Sequence, residues 1–239
     1  MKYLLIGRGK MGALIESKAI DNGDSVIAAL GSADLGRLAD LPVCDCVIDF
    51  SRPAALTAVA DYVRKTHTPL LSGTTGYTPE QMAELKGLGE YAPVLWSANF
   101  SLGIAVFAKA LSLVTPALAA DFDIEITETH HNQKADAPSG TALKLLAAID
   151  PDGAYTPVYG RSGNTGKRTK KEIGIHALRG GTVAGTHTVS FFGPQEEFTI
   201  THRAQSREIF VNGALKLAPV LAAKEKGFYS VDELLFNQE

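Results

Sequence analysis

Six residues near the start, Gly7-Arg8-Gly9-Lys10-Met11-Gly12, constrain the fold of this chain more than any other feature. They fit G-x-G-x-x-G and lie between an apolar run, Tyr3 to Ile6, and a helical pattern from about Lys10 to Asn22. Glycines so spaced allow a tight turn, close approach of the backbone to a pyrophosphate, and close packing of helix on strand. Phosphate oxygens would then meet the N–H groups and positive end of the helix. Met11, Ile15 and Ala19 share one helical face, and Gly23 stands where a left-handed cap belongs.

The same alternation continues. Val26 to Leu30, Cys46 to Phe50, Leu70 to Leu71 and Val94 to Trp96 are short continuous apolar runs. Helical stretches at Pro53 to Lys65 and Pro79 to Leu88 lie between them, each opened by a proline suited to a first turn. Apolar strands without polar alternation, separated by helices, predict a parallel sheet buried on both faces. Right-handed crossovers make it a Rossmann-type doubly wound sheet. The second half is patterned differently: Ile124 to Thr129, Ile173 to Leu178, Thr186 to Phe192 and Glu197 to Thr201 alternate. The last three have no helix between them, which predicts a mostly antiparallel sheet with one face exposed or forming an interface. Asp150 to Lys171 reads as a long loop rich in Gly, Pro, Lys and Arg, and a helical pattern resumes after Arg207.

Composition excludes several classes of function. A formal net charge of −3 over 239 residues offers no footprint for nucleic acid or an anionic membrane. Leu102 to Ala120 is apolar for about the length of a membrane span, but Lys109 and Pro116 interrupt it, and a buried core helix is the expectation. No apolar stretch of signal-peptide length precedes the glycines, so the chain reads as cytoplasmic. Cys44 and Cys46, two apart in an apolar run, would share a strand face as buried thiols, and their number excludes a disulfide scaffold or a zinc site.

Three strand ends carry small or polar groups where ligands bind in open α/β sheets. Asp49-Phe50-Ser51-Arg52-Pro53 follows the third strand, Ser72-Gly73-Thr74-Thr75-Gly76 the fourth, and Ser97-Ala98-Asn99-Phe100 the fifth. They are placed to line the nicotinamide half of a dinucleotide. The second strand ends in Leu30-Gly31-Ser32 with no acid until Asp34, whereas Arg8 and Lys10 could reach a 2′-phosphate. NADPH, or use of both NADPH and NADH, is the expectation.

The densest polar segment is Glu128 to Thr141, which leaves a strand and enters a helix marked by Leu143, Leu146 and Ile149. Gly140 and Thr141 would offer backbone N–H groups to a carboxylate, and Lys134 a full positive charge. Histidine titrates near neutrality and is a suitable proton donor, but adjacent residues on a strand point to opposite sides. At most one of His130 and His131 therefore faces a substrate directly. Two histidines and a serine are only half a metal site, and no metal is expected.

H-H-x-x-K-x-D-A-P-S-G-T-A, with the glycine loop, resembles the signature of the 4-hydroxy-tetrahydrodipicolinate (dihydrodipicolinate) reductase family. D-F-S-R-P, G-T-T-G, A-N-F-S, G-I-H-A-L-R-G-G and I-T-H-R-A-Q-S-R extend the resemblance along nearly the whole chain. It implies a dinucleotide-binding domain over residues 1–101 and 208–239, and an α+β mixed-sheet domain over 102–207 for substrate binding and oligomerisation, usually as a homotetramer. It implies NAD(P)H-dependent reduction of a dicarboxylate in the diaminopimelate route to lysine, with His130 as proton donor and Lys134 as second catalytic residue. His131, Gly140 and Thr141 match positions gripping substrate carboxylates. Gly7, Arg8, Gly9, Lys10, Met11 and Gly12 match cofactor contacts, as do Phe50, Ser51, Gly73, Thr74, Thr75, Ser97, Ala98, Asn99 and Phe100. The basic residues Arg161, Lys167, Arg168, Lys170 and Lys171 read as a solvated loop or as attractors of the dianion. Two alternatives are another Rossmann-fold reductase of the aspartate pathway and a non-catalytic nicotinamide-binding sensor.

Overall fold

The first strand, β1 (Lys2–Ile6), has its last four residues buried, as a strand covered on both faces requires. In the computed structural model, which describes residues 1–237, it is followed by α1 (Lys10–Asp21), β2 (Ser25–Leu30), β3 (Cys46–Asp49), α2 (Leu56–Thr66), β4 (Leu70–Ser72), α3 (Pro79–Gly87) and β5 (Pro93–Trp96). A second series follows: α4 (Leu102–Leu118), β6 (Asp123–His130), α5 (Gly140–Ile149), β7 (Thr156–Tyr159), β8 (Glu172–Arg179), β9 (Gly185–Gly193) and β10 (Glu196–Ala204). The chain ends with α6 (Glu208–Ala222), β11 (Gly227–Tyr229) and α7 (Val231–Phe236). Contacts divide it into two units, Met1–Ser101 with the segment from Glu208, and Leu102–Arg207.

In the first unit six strands form one sheet in the order β11-β5-β4-β3-β1-β2, with every pairing parallel. The order reverses between β1 and β3, so a crevice opens where their carboxyl ends diverge. Between β2 and β3 a 3₁₀ stretch, Ser32–Asp40, buries Leu38. Cys44 precedes β3 instead of sharing its face with Cys46, and both thiols are free and buried. Helix α6 buries seven of its fifteen residues, and its Gly213 lies against the Phe100 carbonyl, where a Cβ would come within 1.7 Å of the oxygen.

The second unit is a five-stranded mixed sheet, β10-β9-β6-β8-β7. Along β6 burial alternates strictly, so Ile124, Ile126, Glu128 and His130 point one way. The first two join Phe107 and Leu111 of α4, Leu145 of α5, and Val189 and Phe191 of β9 in one core. The expected mostly antiparallel sheet needs correction, because β6–β8 and β8–β7 are parallel. Strand β7 was hidden in the glycine-rich stretch: Thr-Pro-Val-Tyr is short, largely exposed and without alternation, and its proline is tolerated at a sheet edge.

The loop from Arg161 to Lys167 is exposed, as a solvated loop should be, but Arg161 and Arg168 are tied into ion pairs rather than left free to attract a dianion. Arg161 donates two hydrogen bonds to Glu125, at 2.9 and 3.0 Å, and one to Glu172 at 3.1 Å. Arg168 reaches Glu125 at 3.0 Å, Asp123 at 2.9 Å and the backbone carbonyls of Ile124, Thr169 and Glu172, pinning the loop to β6 and β8. Burial opposes ionisation of Glu125, but these arginines and His176 outweigh it and hold its pKa down at about 2. Among the described residues no helix is long and apolar enough to cross a membrane.

Gly213→Ala improves helix propensity by up to about 1 kcal/mol, but the methyl meets backbone that cannot step aside. The collision outweighs the gain, and a net loss of about 1–3 kcal/mol is expected in urea unfolding.

Candidate active site

The glycine loop closes on itself as its spacing requires. Gly7 has φ +106°, and a Cβ there would lie 2.4 Å from the Phe50 carbonyl oxygen; at Gly12 it would lie 1.8 Å from that of Gly7. Gly9, in contrast, has nothing within 4 Å and marks the open side. A cleft of about 500 Å³ adjoins it, lined by Gly7, Arg8, Gly9, Phe50 and Ser51 of the expected cofactor set, and also by Gly31, Ser32 and Arg52. A backbone cradle in which side chains are excluded on one side and space is left on the other fits a dinucleotide pyrophosphate.

The other expected cofactor residues do not line this cleft. Lys10, Met11 and Gly12 open α1. Gly73 packs on the Phe50 ring, 2.3 Å from where its Cβ would be, and the Phe100 ring is buried 5.5 Å from that of Phe50. Ser97 and Asn99 bond to each other, with Ser97 Oγ donating to the Asn99 carbonyl at 2.7 Å. Thr74 is held from two directions: its hydroxyl donates to Asp49 at 2.9 Å, and Trp96 Nε1 donates to its carbonyl at 2.8 Å.

Asp49 is a residue whose role the sequence reading missed. Buried at the end of β3, it accepts hydroxyl hydrogen bonds from Ser51, Ser72, Thr74 and Tyr77. Burial raises its pKa, against the lowering effect of those bonds. Asp34 is another: the 3₁₀ stretch folds it back to accept the Gly31 N–H at 3.3 Å, and it lies 3.9 Å from the Arg8 guanidinium. An acid thus does stand at the end of β2, supplied from three residues further on.

The second cluster lies at the end of β6. His130 is turned inward and 8% exposed, with Nδ1 at 2.5 Å from Glu128 Oε2. Glu128 is 0% exposed and also accepts two hydrogen bonds from Arg179, at 2.8 and 2.9 Å, and the Ser139 N–H at 3.0 Å. Burial pushes its pKa up, but the bonds from Arg179, His130 and Ser139 more than offset this and leave it below the ordinary range. The two are i, i+2 on one strand, a period-two signal legible in Thr-Glu-Thr-His; Arg179 arrives through the β6–β8 register and could not be read locally.

Ser139 caps α5, its Oγ accepting the Ala142 N–H at 3.1 Å. Gly140 and Thr141 are thus the first two helical residues, whose N–H groups have no carbonyl four residues back within the helix. Lys134 pairs with Asp136 at 2.8 Å, and this lysine holds the aspartate pKa below its usual value. His131 leaves the strand partly exposed, on the side opposite His130. The histidine-rich loop is fixed by Gly180, whose N–H donates to the His130 carbonyl, and by Gly181, whose carbonyl accepts the Asn132 N–H. Among the described residues no group of three or more His, Cys, Asp or Glu could hold a metal ion.

Two family models match. One described as the dihydrodipicolinate reductase N-terminus covers residues 1–100, and one described as its C-terminus covers 103–235. The chain belongs to the dihydrodipicolinate reductase family. Curated 4-hydroxy-tetrahydrodipicolinate reductases from Clostridium tetani and Staphylococcus aureus are each 41% identical to it, over 98% of this chain and 97% and 100% of theirs. A solved dipicolinate-bound dihydrodipicolinate reductase from Paenisporosarcina sp. TG-14 shares the fold, with a TM-score of 0.74 at 23% identity over 96% of this chain and 97% of that one. A myo-inositol dehydrogenase from Corynebacterium glutamicum shares it more distantly, with a TM-score of 0.60 at 14% identity over 95% and 90%. A reductase relying on a cysteine nucleophile has no counterpart in this family member, because burial pushes the pKa of both its thiols up.

Because the pKa of Glu128 is depressed in the folded state, the stability it contributes is present above its unfolded value near 4.5 and lost as pH falls through the folded one. Urea unfolding from pH 7 to pH 3 should show that decline. Glu128→Gln should be less stable at pH 7 and decline less steeply; an unchanged slope would show that Glu128 is not the linked group.

Proposed function

We propose that this chain reduces 4-hydroxy-tetrahydrodipicolinate to tetrahydrodipicolinate with NADH or NADPH, in the diaminopimelate route to lysine. The observation that carries the reading is His130, buried with Nδ1 on an ionised Glu128, beside a helix start suited to a carboxylate. Family membership supplies the substrate. Loss of water from it gives a conjugated cyclic imine, to which one hydride and one proton add. The bound reduced nicotinamide supplies the hydride. His130 holds the proton at Nε2 and releases it to the substrate as negative charge builds on the imine, while Glu128 steadies the ring. Lys134 exchanges Asp136 for a substrate carboxylate, and His131 with the Gly140 and Thr141 N–H groups grips the other. Both negative charges then have partners once water is excluded.

On the cofactor side, Gly7 to Gly12 hold the pyrophosphate at the start of α1. Phe50, Ser51, Gly73 to Thr75 and Ser97 to Phe100 shape the nicotinamide half. Arg8 and Asp34, 3.9 Å apart, support use of both cofactors: the guanidinium suits a 2′-phosphate and the carboxylate suits ribose hydroxyls. We place the enzyme in the cytoplasm as a homotetramer joined through the mixed sheet. Supporting this, the face of that sheet turned from the helices bears exposed Leu178 and Phe192 among paired Thr and Ser hydroxyls. Light scattering after size exclusion measures the assembly.

The product of pyruvate and aspartate-semialdehyde condensation should cause loss of NADH and of NADPH absorbance, and oxidation of neither would sink the assignment. His130→Ala and Lys134→Ala should each lower kcat on the order of 10²-fold or more. Asp34→Ala should worsen KM for NADH more than for NADPH.

A further inference from the structure

Among the residues that approach His130, His187 of β9 has no role in the reading above. It is 4% exposed, and its ring meets that of His130 edge-on, with centroids 5.0 Å apart and planes at 73°. Its Nε2 lies 3.1 Å from Ser139 Oγ, and its Nδ1 is buried without a partner. Ser139 Oγ already accepts the Ala142 N–H. If the serine hydroxyl donates to Nε2, every hydrogen-bonding atom of the pair is satisfied except one, the Nδ1–H. The opposite tautomer strands both the hydroxyl proton and Nδ1. Since every buried polar group left unsatisfied is destabilising, the Nδ1–H tautomer, which leaves one instead of two, is the stable one.

These bonds close a ring. Glu128 binds His130 Nδ1 and the Ser139 N–H, Ser139 binds His187, and His187 abuts His130. The same serine starts α5. On the remaining side of His130, a Cβ at Gly185 would come within 3.1 Å of Nε2 and 3.7 Å of His187 Cε1, so this glycine leaves space beside the outward nitrogen. We propose that His187 is a positioning residue for the reduction, locking the His130 ring against Glu128 and tying it to the carboxylate-gripping start of α5. This rests on the function proposed above. The groups that face the pair are Glu128 of β6, Arg179 of β8, His202 of β10, and Lys134 with Asp136 of the loop. Burial, with His130 nearby, lowers the His187 pKa to about 4. The ring therefore stays neutral and sets no second positive charge beside a protonated His130.

Two variants separate positioning from mere filling. His187→Gln places an acceptor where Nε2 stood, within reach of Ser139; His187→Asn is one carbon too short. Loss of ring alignment by about an ångström can cost on the order of 10²-fold. His187→Asn should therefore lose on the order of 10-fold to 10²-fold in kcat and move the limb of the pH profile set by His130 to lower pH. His187→Gln should stay within a few-fold of wild type with the limb in place, and KM for NADH should hold in both. Wild-type kcat and profile in both variants would overturn the proposal, as would equal losses with an unmoved profile. Titration of the His130 ring protons by NMR makes the same comparison without substrate. A wild-type protein that turns nothing over would sink the functional reading and leave that comparison standing.

Discussion

One buried carboxylate organises the second unit. Glu128 is 0% exposed, and an ionised group there is tolerable only because Arg179, His130 and the Ser139 N–H meet it. Those partners come from β8, from β6 itself and from the cap of α5. Removing the charge would leave Arg179 half-buried without its bidentate partner, His130 without an orienting acceptor and the helix start without an anchor. The proton-donor reading of His130 thus depends less on the histidine than on the glutamate two residues before it.

The first unit solves a related problem with hydroxyls. Asp49 ends β3 in the crevice where the sheet order reverses, and four hydroxyls from Ser51, Ser72, Thr74 and Tyr77 surround it. These bonds join the turns after β3 and β4 into one wall beside the glycine loop. With no cation in that set, burial prevails and its pKa rises, whereas that of Glu128 falls. One carboxylate serves as a hydrogen-bond hub, the other as a charge that supports a histidine.

Legibility differed by the range of the interaction. The parallel sheet was readable because each strand carries its own continuous apolar run and each helix its own period, and such signals are local. The second sheet was readable in its alternating strands but not in its pairing, since β7 lacks alternation and parallel partners are chosen by the crossover chain. Arg161 and Arg168 looked like free charge in a glycine-rich loop, until the fold brought Glu125 and Asp123 beneath them. Asp34 lies four residues past the end of β2 in sequence, and the 3₁₀ stretch returns it to Gly31.

The amino-acid sequence by itself determined the glycine loop, the doubly wound character of the first half, and the dense polar segment from His130 to Thr141. Each depends on residues within a turn or two of one another, so spacing alone expresses it. Tertiary structure alone decided which groups meet that segment. Arg179 reaches Glu128 across 51 positions and His187 reaches Ser139 across 48. Strand register selects such partners, and register is a property of the assembled sheet.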